Sequence, residues 1–192
     1  MKLIRNTEYQ LNLDSQKLTF GQIIDQYAYF ILIKDNISEI YYSNLDQIQL
    51  KKKLNNSNGI NGSHSVAFGP TNKPHFCAFV KENVLFINKI PIGNSSPKTK
   101  HFCNVEYVCV ACHPSDDIIA TGDQLGRITL WYNDFFESIH PTKTIMHWHS
   151  KPPSDLCFSV QGTHLYSVGQ EMVLVKWDIT ANNCGEKNFI SR

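Results

Sequence analysis

With 18 basic against 17 acidic side chains over 192 residues and a net charge of +1, the chain as a whole gives no electrostatic case for binding nucleic acid. Its 42% apolar content is enough for a core, while the longest apolar run, Tyr27 to Ile33, is far too short for a membrane-spanning helix. Six cysteines fall short of a secreted disulfide framework and Met1-Lys-Leu-Ile-Arg5 lacks the apolar core of a signal peptide, so reduced thiols inside a cell are expected.

Residues 3–13 alternate weakly and read as a lone strand. Residues 17–24, 27–33 and 39–42 read as three further strands, with polar breaks at Asp25-Gln26 and Lys34-Asp35-Asn36. Residues 43–63 read as a long exposed loop, from Ser43-Asn-Leu-Asp46 through Lys51-Lys52-Lys53 to the Asn/Gly/Ser-rich end. The three lysines are candidate partner contacts, although they fall short of the basic clusters of about 5–8 residues that bind nucleic acid. Four Asn-x-Ser sequons, at Asn36, Asn55, Asn61 and Asn94, read as loop composition.

From residue 64 a unit begins to recur. His64-Ser-Val-Ala-Phe68, Cys77-Ala-Phe-Val80 and Val84-Leu-Phe-Ile87 read as its strands, and Pro91 to Lys100 as a linker. The clear copies are Val108 to Trp131 and Ser154 to Asp178. Trp131 and Trp177 lie 46 residues apart, and the same offset pairs Val110 with Leu156, Thr121 with Ser167 and Ile128 with Leu174. An offset of 44 pairs Ala67 with Ala111 and puts Ile87 in place of the closing tryptophan. Val108, Val110 and Cys112 alternate with Cys109 and Ala111, a period of two that argues strand rather than helix. His113-Pro-Ser-Asp-Asp117 and Val160-Gln-Gly-Thr163 are turn chemistry.

The chain is therefore expected to be all-β, with about four repeats at residues 3–45, 64–102, 103–147 and 148–192, the first and last incomplete. Three or four short strands closed by Trp-Tyr or Trp-Asp resemble the WD40 repeat, a propeller blade of about 40–45 residues. A ring closes with roughly 4–8 blades, so the expectation is a partial ring from a longer protein. In WD40 blades a His, a Ser/Thr, an Asp and the closing Trp can form a hydrogen-bonded tetrad. The second clear copy resembles that set at His149, Ser167, Glu171 and Trp177. The first holds Cys103, Thr121, Leu125 and Trp131. Polar stapling is expected in the second and mainly apolar packing in the first.

Motifs for chemistry are weak. Cys109-Val-Ala-Cys112-His113 matches the c-type haem pattern, but residues three apart on a strand face opposite ways. His147-Trp-His149 has no further ligand at metal-site spacing. Asp116-Asp117 is a turn, and no nucleophile elbow or phosphate loop is present. No catalytic, cofactor or metal residue is assigned.

More specific wording lies in Phe102-Cys-Asn-Val-Glu-Tyr-Val-Cys-Val-Ala-Cys-His-Pro114, Ile119-Ala-Thr-Gly122, Gly126-Arg-Ile-Thr-Leu-Trp131, Met146-His-Trp-His149, Asp155-Leu-Cys-Phe-Ser-Val-Gln-Gly-Thr163 and Glu171-Met-Val-Leu-Val-Lys-Trp177. Together these resemble the family of WD repeat-containing protein seventy-five, a tandem-propeller subunit of the U3 small-subunit processome in its tUTP (UtpA) group. The resemblance implies a non-enzymatic scaffold of the nucleus and nucleolus. Its implied partners are other tUTP/UtpA subunits, the U3 snoRNP and pre-rRNA, with no membrane and no small-molecule substrate. Its implied roles are 18S rRNA maturation, early ribosome assembly and RNA polymerase I transcription. A WD40 adaptor such as a ubiquitin-ligase substrate receptor is the alternative. Phe135 and Phe136, in the 133–137 hairpin, are candidate partner contacts, since aromatic residues dominate interface hot spots. The competing reading packs them beneath the neighbouring blade.

Overall fold

A computed structural model describes residues 16–24, 27–34, 37–44, 47–55, 66–71, 75–90, 98–180 and 189–191, with side chains described over 66–71, 75–90 and 99–180. The strand expected at 3–13 and the Asn/Gly/Ser-rich stretch at 56–63 lie outside these residues. The chain divides into two compact units, Met1–Ile60 and Asn61–Arg192.

The first unit is one antiparallel sheet of four strands in chain order: β1 (Gln16–Ile24), β2 (Tyr27–Lys34), β3 (Ile37–Asn44) and β4 (Gln47–Asn55). Both breaks expected from sequence, at 25–26 and 34–36, fall between strands, with Lys34 itself the last residue of β2. The loop expected at 43–63 does not hold over its first half, because β4 runs through Lys51, Lys52 and Lys53. Gln47-Ile-Gln-Leu50 alternates polar and apolar, and the lysines after it obscure that signal by composition alone. In register, Ile48 stands opposite Ser43, Leu50 opposite Tyr41 and Lys53 opposite Glu39. The first sheet thus has a fourth strand where an incomplete one was expected.

The second unit holds three more four-stranded antiparallel sheets, each also in chain order. The first comprises β5 (Val66–Gly69), β6 (Phe76–Lys81), β7 (Val84–Lys89) and β8 (Lys98–Phe102). The second comprises β9 (Tyr107–Cys112), β10 (Ile119–Asp123), β11 (Arg127–Trp131) and β12 (Lys143–His147). The third comprises β13 (Pro153–Phe158), β14 (His164–Gly169), β15 (Leu174–Asp178) and β16 (Phe189–Ser191). The last sheet, too, has a fourth strand. Neighbouring sheets meet where β9 packs on β5, β6 and β13.

Alternation along β9 sorts its side chains between two cores. Val110 and Cys112 join Ile119, Trp131 and Phe135 in a cluster with Phe76, Ala78, Val80, Leu85 and Ile87 of the preceding sheet. Cys109 and Ala111 join Ala120, Ile128, Leu130 and Met146 in a second cluster with Leu156, Leu165, Val175 and Trp177 of the following sheet. Each large side chain so buried stabilises the fold by about 1.5–3 kcal/mol. The middle sheet is therefore apolar on both faces.

This sorting corrects the register read for the worn copy. Trp131 pairs with Ile119 and Trp177 with Leu165, and both tryptophans face the preceding sheet. Ile87 instead pairs with Ala78 and faces the following sheet, as Leu130 does in the next copy. Asn88, paired with Cys77, stands where the tryptophan would be. A slip of one residue exchanges the two faces of a strand, and apolar content alone does not reveal it. Asn88 is 1% exposed, and neither polar atom of its side chain has a hydrogen-bond partner among the described residues.

The loop after β9 joins all three sheets of this unit. Thr71 N donates to the His113 carbonyl at 3.0 Å. His113 Nδ1 accepts from Asp116 N at 2.9 Å and from Ser115 N at 3.3 Å, which leaves Nε2 as the protonated nitrogen that donates to Gly162 O at 2.9 Å. Gly162 has φ +74°, and a Cβ there would lie 2.3 Å from His113 Nε2, so both conformation and space call for glycine.

Candidate functional site

The polar cluster of the last sheet is built from the β14–β15 hairpin and the loop entering β13. The hairpin closes with Met172 N donating to Gly169 O at 3.0 Å and Gly169 N donating to Val173 O at 3.0 Å. Met172 takes φ +63°, at the place where the preceding copy has Gly126 at φ +82°. This turn aims Glu171 back across the hairpin, so that its Oε1 lies 2.5 Å from His149 Nδ1. His149 Nε2 lies 2.6 Å from Ser167 Oγ, which accepts from Trp177 Nε1 at 2.8 Å. The structure thus brings His149, Ser167, Glu171 and Trp177 together. The donors run one way: the indole N–H donates to the hydroxyl, the hydroxyl to His149 Nε2, and His149 Nδ1–H to the carboxylate. Burial pushes the Glu171 carboxyl up, but the hydrogen bond from His149, helped by nearby charge, outweighs it and holds the group below its usual value.

A serine, a histidine and a carboxylate linked in this order would suit nucleophilic catalysis in an open cleft. Here Ser167 is 0% exposed and its oxygen already accepts from an indole. No substrate carbonyl can reach it, and the arrangement acts as a staple holding hairpin, loop and closing strand.

In the preceding copy only two of the four equivalent positions, Thr121 and Trp131, are bonded to each other. Trp131 Nε1 donates to Thr121 Oγ1 at 2.9 Å, and Thr121 Oγ1 donates weakly to Thr129 O at 3.5 Å. Cys103 packs against the core shared with the preceding sheet, and Leu125 is exposed. His101, two residues before the expected position, stacks on Trp131 at 5.3 Å and donates from Nε2 to Phe135 O at 2.8 Å. Burial holds the His101 pKa below its usual value, which favours the neutral ring. This copy is therefore more polar than apolar packing alone would give.

Sequence reasoning also passed over Asp123. Its Oδ1 accepts from Leu125 N at 2.9 Å and Arg127 N at 3.1 Å, while its Oδ2 accepts from Arg127 Nε at 2.7 Å. An Asp opening a turn, with Arg four residues on, was the available signal.

Phe135 and Phe136 lie in the other core of this unit and do not join this cluster. Phe135 is 0% exposed and no partner can touch it, which corrects its reading as a contact residue. Asn133–Phe136 forms a 3-10 turn rather than a plain hairpin, held by Asp134, whose carboxylate accepts from Thr142 N at 2.8 Å and from Thr142 Oγ1 at 2.9 Å. That turn drives Phe135 onto Phe76, with ring centroids 5.4 Å apart. Phe136 is partly buried against the same core and lies beneath Lys89 Nζ at 4.7 Å. Lys51, Lys52 and Lys53 lie on β4 in the other unit. Cys109 and Cys112 belong to different cores, so they cannot share one haem or metal. Burial pushes the thiols of Cys77 and Cys109 up to about 12, and raises that of Cys112 as well. Among the described residues, no three His, Cys, Asp or Glu side chains cluster as metal ligands.

Within the second unit, four-stranded sheets packed face to face, the two clear copies 46 residues apart and each closed by a tryptophan bonded to Ser or Thr, define the class as a WD40 propeller scaffold. The family described as the first beta-propeller of WD repeat-containing protein 75 matches residues 37–192. The chain belongs to that family. It is 41% identical over 134 residues to WD repeat-containing protein 75 of Homo sapiens, a match covering 66% of this chain and 15% of that protein. The Xenopus laevis protein of that name is 46% identical over 94 residues, covering 49% and 11%, and that of Danio rerio 37% identical over 119 residues, covering 61% and 14%. The matched part is thus at most 15% of the length of these relatives.

Proposed function

We propose that this chain serves in a non-enzymatic WD40 scaffold of the nucleolar small-subunit processome. In this reading it is held with other tUTP/UtpA subunits against the U3 snoRNP and pre-rRNA. It thereby supports pre-18S rRNA processing, early ribosome assembly and RNA polymerase I transcription. The observation that carries the reading is the family match over residues 37–192, which takes in the two clear repeats and the worn one. The physical character of the sheets agrees with it. Stapled β-sheets with apolar seams offer stiff edges and loops on which partners can be held in fixed relation.

The test is affinity capture of the whole chain from nucleolar extract, followed by detection of U3 small nucleolar RNA and tUTP subunits. Co-enrichment of both is the expected result. Recovery of cullin-type ligase components, with no U3 RNA above background, would replace this reading with the ubiquitin-ligase adaptor.

A further inference from the structure

We draw no further inference here: the strongest candidate, the open apolar face of the last sheet where Tyr166, Val168 and Leu174 stand beside the Met172 hairpin tip, carries nothing because no feature of the structure shows what covers it.

Discussion

Ser167 is the residue on which the polar staple turns, since its single oxygen serves both His149 and Trp177. Replacing it with alanine leaves two buried groups unpaired, each costing about 1–3 kcal/mol. Ser167→Ala is therefore expected to destabilise the chain by about 2–6 kcal/mol in urea unfolding. Thr121→Ala leaves one buried indole N–H unpaired and should cost about 1–3 kcal/mol, half the loss at Ser167. Equal losses at the two sites would contradict the asymmetry between the copies. Glu171 adds a pH dependence of definite sign. Its carboxyl titrates below its usual value when folded, so the stability it contributes is complete above the ordinary carboxylate range. That contribution is lost as pH falls through the folded-state value. Glu171→Gln should flatten this acid limb in a series of urea titrations. Asn88 should behave in the opposite way to Ser167. A buried amide without a partner among the described residues is a standing cost, and Asn88→Leu is expected to raise stability by about 1–2 kcal/mol. A loss of that size would mean the amide is satisfied after all.

At the scale of strands and turns, much of this fold could be read from the chain because alternation and burial agree. Val108 to Cys112 and Ile128 to Trp131 announce strands because each face meets a core. The tetrad of the last sheet was legible because the 46-residue period carries Thr121 and Trp131 onto Ser167 and Trp177, and its loop adds His149. The misreadings have specific physical causes. Lys51 to Lys53 hid β4, because charge signals a loop to a reader who cannot see the strand beside it. Ile87 was matched to the tryptophan because both are apolar, although only pairing decides which way a side chain faces. His101 escaped because its role depends on the 3-10 turn of the next sheet supplying a carbonyl. That same turn buries Phe135, and Phe135→Ala should cost about 3–5 kcal/mol of stability as a core deletion. A variant that kept full stability but lost a partner would restore the contact reading.

The molecule as a whole presents two compact units, and in the second each described seam is apolar with polar fastenings at its rim. Thiol accessibility follows from that layout. Cys157 lies exposed on the outer face of the last sheet, whereas Cys77, Cys109 and Cys112 are buried and hard to ionise. A thiol reagent at neutral pH is expected to label Cys157 promptly in the folded chain and to reach those three only on unfolding. Mass mapping of the labelled peptides over time measures this. Early labelling of Cys109 or Cys112 would mean that the seams beside the middle sheet open well before the chain unfolds.

The loop after β9 carries one more implication. Its His113 is gripped through the carbonyl by Thr71 on one side and grips Gly162 through the ring on the other. A disturbance at either joint must therefore be felt at the other. Energies measured for Thr71→Pro, which removes the donating N–H, paired with Gly162→Ala should depart from simple addition, whereas lesions in sites that share no such bridge should sum. A short surface turn, of the kind usually free to drift or to take an inserted residue, is here a place where lengthening the chain would loosen three sheets at once.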